Sequence, residues 1–291
     1  MSQIVAQHYA LPATRRHLWI GLAMAVVAIA FAVEQSAHWL SSHPMAAKGL
    51  EASLLAGLAT GLGAIPVLFL RRPQERLMAP MLGLAGGMML AASLFSLLVP
   101  AVQSVNASGA PWLLGTLSAL ALLGGVAMMQ KIDSQTAHAH VESIETSLAL
   151  PRVGLVVAAI ALHNVPEGLA VGISAAAGGN HSMTLGIAIQ NIPEGWIVAS
   201  AMIALGAAPL RAALIALATG LVEPVGGLIG VIASSLAGDA LPLALAGAAG
   251  AMLWVVSHEL IPASHQPGRE AAGTAGLAAG FALMTVLAAV F

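Results

Sequence analysis

HNVPEG, residues 163 to 168, and QNIPEG, residues 190 to 195, are one pattern written twice, each inside an apolar run long enough to cross a membrane as a helix. Residues four apart share a face of a helix, so His163 and Glu167 point at one spot and Gln190 and Glu194 at another. Consecutive spans run in opposite directions, which lets the two half shells face each other at one depth. Pro166 and Pro193 each remove a backbone hydrogen bond and free carbonyls near residues 162 and 189. Such interruptions are tolerated at membrane depth only beside a cavity or a wall of packed protein. Asn164 and Asn191 stand one position along from the main ligand face. A third acid, Glu223, again precedes a proline in LVEP, 221 to 224. Three carboxylates at this depth repel one another and are costly to keep ionised. One or two divalent cations between them remove that cost. Interhelical hydrogen bonding accounts for a single buried Asn or Ser, but it leaves three acids unexplained.

The rest of the chain agrees with a lipid-embedded protein. Of its 291 residues 59% are hydrophobic and 8% charged, and the mean hydropathy is +0.92, outside the range of water-soluble domains. The spacings Gly57/Gly61, Gly83/Gly87, Gly226/Gly230 and Gly276/Gly280 match the small-xxx-small pattern of closely approaching membrane helices. A net charge of −2 indicates no nucleic-acid partner. With no cysteine, disulfides, thiolate metal sites and cysteine nucleophiles are excluded.

A helix needs about 20 largely apolar residues to cross the hydrocarbon core. Nine stretches qualify, at roughly 17–40, 51–70, 77–100, 111–131, 153–177, 182–205, 211–236, 241–262 and 272–291. The expected fold is therefore all-α: a polytopic transmembrane bundle with an N-terminal segment over 1–48 and an eight-helix core over 49–291. The longest connection, about 132–152, is polar and reads as a mobile, histidine-bearing loop. Short loops rich in Lys and Arg stay cytoplasmic. With the N-terminus inside, Arg15, Arg16, Arg71, Arg72, Arg76, Lys131, Arg152, Arg211 and Arg269 all fall on that side, and only Lys48 falls outside. The C-terminus is then external. Residues 15–33 also resemble a signal peptide, but apolar character resumes as far as Trp39 and Leu40, which favours a retained helix.

Other candidates are less specific. On composition alone Met89, in GGMMLAAS at 86–93, reads as core packing. His138 and His140 form a loop sequence, HAH, able to bind metal. His258 and Glu259, near the cytoplasmic end of the eighth span, continue a polar path. An intramembrane metalloenzyme is the rival reading of the His/Glu centre. Zinc proteases, however, show His-Glu-x-x-His on one helix, and here the order is His-Asn-x-Pro-Glu.

Together with GMMLAASLFSLLVP at 87–100, GLVEPVG at 220–226 and VVSHELIPASH at 255–265, the paired motifs resemble the ZIP family of divalent-metal transporters, in particular its bacterial members. The likeness spans about residues 50–291. It implies eight core helices, with an extra N-terminal helix in some bacterial members, and a frequent homodimer. It implies a non-enzymatic carrier without cofactor, in a prokaryotic inner membrane, that moves Zn²⁺ or related ions into the cytoplasm. Carried over by position, it implies a two-metal centre. The first site uses Met89, His163, Glu167, Gln190 and Glu194, and the second uses Asn164, Asn191 and Glu223 with Glu167 and Glu194 bridging. It further implies that a four-helix unit (the second, fifth, sixth and seventh spans) slides against the other core helices, with His138, His140, His258 and Glu259 assisting release. One departure matters: close bacterial relatives have aspartate where this chain has Asn191. Imidazole, amide and carboxylate ligands suit Zn²⁺, Cd²⁺ or Fe²⁺ better than Cu⁺.

Overall fold

The computed structural model describes residues 41–69, 75–145, 149–176, 178, 182–235 and 240–290, with backbone alone at 75, 135–145, 149–160, 162, 182 and 235. The expected first span, 17–40, and the alternative signal segment, 15–33, lie outside the described residues. By its contacts the chain divides into Met1–Ala47 and Lys48–Phe291, and the second unit holds the helical bundle.

All regular structure among the described residues is helical. The helices are α1 (Pro44–Ala64), α2 (Glu75–Ala91), α3 (Val99–Asn106), α4 (Pro111–Glu145), α5 (Ala149–Ala176), α6 (Ser182–Ala204), α7 (Pro209–Gly220), α8 (Glu223–Ser235), α9 (Leu241–Val255), α10 (Ile261–Ser264) and α11 (Glu270–Val290). Wide π turns over Ala92–Leu98 and Val256–Leu260 join α2 to α3 and α9 to α10 as continuous spans. Among the described residues, seven stretches have the length and apolar composition to cross a membrane: Pro44–Leu68, Arg76–Asn106, Pro111–Ser134, Met183–Ala204, Pro209–Ser234, Leu241–Ser264 and Glu270–Val290. With 28 residues, α5 is about 42 Å long and has the reach for another crossing. These spans overlap the expected segments, with the largest differences at the start of the first (Pro44 against 51) and the end of the second (Asn106 against 100).

Local chemistry sets their ends. Pro111, Pro209 and Pro242 open α4, α7 and α9, where a missing N–H costs no helical bond. After α6, Gly206 at φ 87° closes the helix, with Ala207 N–H on Met202 O and Gly206 N–H on Ile203 O, a left-handed cap that a Cβ would strain. The expected loop at 132–152 is corrected: α4 runs on to Glu145, because DSQTAHAHVESIE contains neither Gly nor Pro to stop it.

Packing follows the small residues. The most extensive helix pairs are α2 with α11, α5 with α8 and α4 with α9. A Cβ on Gly83 or Gly87 would meet the backbone of α11, and one on Gly276 or Gly280 that of α2. Gly226 and Gly230 stand in the same way against α5, and Gly57 against α7. All four expected glycine pairs therefore lie at helix contacts, with Gly61 facing the Leu217 side chain. Lipid tails are as apolar as leucine, so backbone approach rather than water exclusion holds such helices together. Methionines, among them Met88, Met129, Met183, Met252 and Met284, fill the irregular core. Leu55, Leu62, Leu113, Leu120 and Leu123 lie on the outside, while carboxylates lie inside. That inversion suits a hydrocarbon surround and not water.

Candidate metal centre

Each copy of the repeated pattern is delivered by one helix. Centred in α5 are His163, Asn164 and Glu167, and in α6 Gln190, Asn191 and Glu194; both helices continue through their prolines. Glu223 arrives differently. α7 ends at Gly220, and Leu221 and Val222 form a turn; α8 then restarts at Glu223, with Pro224 in its first turn. Proline has no N–H to extend the earlier ladder, so the break falls here and sets Glu223 at the head of a new helix.

Asn164, Glu167, Asn191 and Glu223 have no exposed surface, and Gln190 has 1%. The two copies touch directly: Gln190 Nε2 donates to Glu167 Oε1 at 2.7 Å. Asn191 Nδ2 donates to Ala56 O of α1 at 2.8 Å and to Glu223 Oε1. Asn164 Nδ2 donates to Thr219 O at 2.9 Å. Both asparagine amides are thus oriented through their nitrogens. Glu167, Glu194 and Glu223 are close enough for each to feel the others' charge.

Six side-chain oxygens in this region are buried without a hydrogen-bond partner: Asn164 Oδ1, Glu167 Oε2, Gln190 Oε1, Asn191 Oδ1, Glu194 Oε2 and Glu223 Oε2. All are acceptors. Unpaired polar atoms are costly to bury, and acceptors that the neighbouring amide N–H groups leave unpaired describe a place for a cation. Among the described residues no three His, Asp or Glu side chains surround one point. A coordination shell here therefore needs the amide oxygens or a thioether as well as the acids. Met89 is buried on α2, which packs against α6.

His163 is buried, and its Nε2 lies 2.9 Å from Glu259 Oε1 in the π turn after α9. This is an electrostatic contact, since that oxygen receives no directed hydrogen bond. His258 Nε2 lies 3.4 Å from Asp133 Oδ2 and stacks on Trp254, with ring centres 4.6 Å apart. The side chains of His138 and His140 lie outside the described residues. Sequence reasoning missed Asp133, which it left at the edge of the presumed loop, and the carbonyls of Ala56 and Thr219, which no side-chain pattern signals. A wide π turn, often found at functional sites, likewise had no signal beyond the prolines after it.

The family model described as "ZIP Zinc transporter" matches residues 129–288. The zinc transporter GufA of Myxococcus xanthus is 46% identical over 250 residues, covering 82% of this chain and 97% of its own length. The zinc transporter ZIPB of Bordetella bronchiseptica is 45% identical over 236 residues, covering 79% and 76%. The zinc transporter ZupT of Chlorobium phaeovibrioides is 32% identical over 250 residues, covering 80% and 94%.

Proposed function

Because the chain belongs to the ZIP family of metal transporters, we propose that it carries Zn²⁺, and less selectively Cd²⁺, Fe²⁺ or Mn²⁺, across a bacterial inner membrane into the cytoplasm. A multi-pass transporter and not an enzyme, it has divalent metal ions as its cargo. The observation that carries the ion reading is the set of six buried, unpartnered oxygens on the two motif helices and α8. The ion site is built from Met89, His163, Glu167, Gln190 and Glu194, and Asn164, Asn191 and Glu223 adjoin it as a second position. Carboxylates and an imidazole with no thiolate suit a borderline divalent ion. Glu259 and His258, with Asp133 beside them, form the polar route onward, and His138 and His140 assist release. By the distribution of Lys and Arg the N-terminus is cytoplasmic and the C-terminus external, and two chains pair as a homodimer in the bilayer.

Movement of the site relative to a fixed frame has support in the glycine contacts. Among the described residues, every glycine whose added Cβ would strike another helix's backbone does so within one of two groups. In the first, α1, α5, α6, α7 and α8 are locked by Gly57 against Gly220, Gly63 against Ile192, Gly195 against Thr60 and Gly168 against Glu223. In the second, α2, α4, α9, α10 and α11 are locked by contacts such as Gly125 against Gly247 and Gly83 against Gly273. Between the groups Gly186 meets only the flexible end of Met284. A cavity of about 320 Å³, lined by Gly124, Gly125 and Gly247 on one side and Val165, Pro166 and Leu169 on the other, lies between α4 and α9 of the second group and α5 of the first. The first group carries the acids and shifts as a unit along the second, exposing the ion to each side in turn. Uptake of Zn²⁺ into liposomes holding the purified protein tests the function; vesicles that take up no divalent ion under either direction of pH gradient reject it.

A further inference from the structure

A hydroxyl on a helix commonly turns back to a carbonyl three or four residues earlier, as those of Ser53, Ser93 and Thr219 do at 2.8 Å. Thr60 of α1 does not: it has no exposed surface, and its Oγ1 is buried without a hydrogen-bond partner. The carbonyl four residues before it is that of Ala56, the oxygen that accepts Asn191 Nδ2 at 2.8 Å. A carbonyl oxygen has two lone pairs, and the helix gives the other to the Thr60 N–H. The hydroxyl is therefore turned away, and it lies 2.6 Å from where a Cβ on Gly220 would stand. Gly220 follows Thr219, whose carbonyl accepts Asn164 Nδ2 at 2.9 Å. Thr60 thus stands one turn beyond the carbonyl that orients Asn191 and against the residue after the carbonyl that orients Asn164. Glu223 borders the same stretch of α1, its Cβ 3.6 Å from a carbon added to Gly57. Ser118 and Ser200 also bury a hydroxyl without a partner. Ser118, however, is on α4 in the second group, and Ser200 lies six residues beyond Glu194, about 9 Å along α6.

We propose that the Thr60 hydroxyl is a further ligand of the ion held by Asn164, Asn191 and Glu223, completing a position made of oxygens alone that takes a hard divalent cation such as Mn²⁺. The inference rests on the transport reading and assigns an ion class to one part of its site. Asn164 Oδ1, Asn191 Oδ1 and Glu223 Oε2 are unpartnered like Thr60 Oγ1, and one ion gives all four a partner. Two amides, a hydroxyl and a carboxylate are hard donors, the kind that suits Mn²⁺ or Mg²⁺. Imidazole and thioether, which favour softer ions such as Zn²⁺, enter at the neighbouring position, through His163 and Met89. Through Thr60, α1 brings a side chain to the site as well as the Ala56 carbonyl.

The test is Mn²⁺ binding by the purified full chain in detergent, followed by loss of the electron paramagnetic resonance signal of the free ion. Thr60→Val, which keeps the volume, should weaken Mn²⁺ binding roughly tenfold, while Thr60→Ser stays within about twofold of the wild type. Zn²⁺ uptake into liposomes should hardly change in either. Removing an unpartnered hydroxyl breaks no bond, so the melting temperature of metal-free Thr60→Val should not fall. Thr60→Cys sets a sulfur at the same point: Cd²⁺ should then raise an ultraviolet thiolate-to-metal absorption band, and Mn²⁺ binding should weaken. Unchanged Mn²⁺ binding in Thr60→Val, or no such band in Thr60→Cys, would overturn the role given to Thr60. An equal fall for Mn²⁺ and Zn²⁺ together with a lower melting temperature would make it a packing residue. A wild-type protein that carries Zn²⁺ but binds no Mn²⁺ would overturn the inference and leave transport standing, whereas no uptake of any divalent ion would reject the transport reading. The cysteine variant decides the matter if Thr60→Val fails to fold.

Discussion

Nε2 of His163 lies 2.9 Å from Oε1 of Glu259, tying the middle of α5 to the π turn between α9 and α10. The contact joins the two glycine-locked groups, so an ion that takes the imidazole must displace this carboxylate or share it. A contact between an imidazole and a carboxylate that is partly exposed contributes on the order of 1 kcal/mol. Glu259→Gln should therefore retain the ion more strongly and release it more slowly: severalfold lower turnover, with KM unchanged or lower, in Zn²⁺ uptake by proteoliposomes. Unaltered turnover would place Glu259 off the route.

Removal of a proposed ligand should be more severe. Breaking a buried charged arrangement costs about 3–5 kcal/mol, so Glu167→Ala or His163→Ala should lower flux roughly a hundredfold or more while membrane insertion persists. Glu223→Gln keeps an oxygen to accept from Asn191, and its loss should stay within about tenfold. Initial uptake rates, normalised to inserted protein, compare the three; equal collapse in all of them would make Glu223 an obligatory ligand.

The proposed relative motion of the two groups can be tested by arrest. The chain contains no cysteine, so Gly186→Cys with Met284→Cys introduces a unique pair at the place where α6 meets α11. Joined by a thiol-bridging reagent, the double variant should lose uptake, and a reductant that opens the bridge should restore it. Full transport in the bridged protein would mean that these helices do not need to move past one another.

Backbone approach at glycine predicts stability rather than flux. Gly226→Leu sets a side chain against the Val165 carbonyl, and overpacking of this kind costs roughly 1–3 kcal/mol. The melting temperature in detergent should fall. Gly124→Leu, whose added carbon meets open space, should leave it nearly unchanged, and a larger fall for Gly124→Leu would refute the packing assignment.

The positions of the crossings were legible because each must bury about 20 residues in a layer of set thickness, and composition alone reports that. The acids were legible too, since a carboxylate in an apolar run has no common structural excuse. The same reliance on composition misplaces the end of α4: polarity there passes for irregularity, although nothing in 132–145 ends a helix.

What the amino-acid order determined by itself was the class of protein, the place of the described spans, and which residues set carboxyl groups in mid-span, because each of these is a property of neighbours along the chain. Only the tertiary structure decided that Asn191 donates to both Ala56 and Glu223, that Glu259 meets His163 rather than standing apart, and that Asp133 belongs beside His258. These pairs lie on different helices, and which faces meet depends on how closely glycine lets each backbone approach the next. The direction of an amide is set by what stands across from it, and the local pattern carries no trace of that.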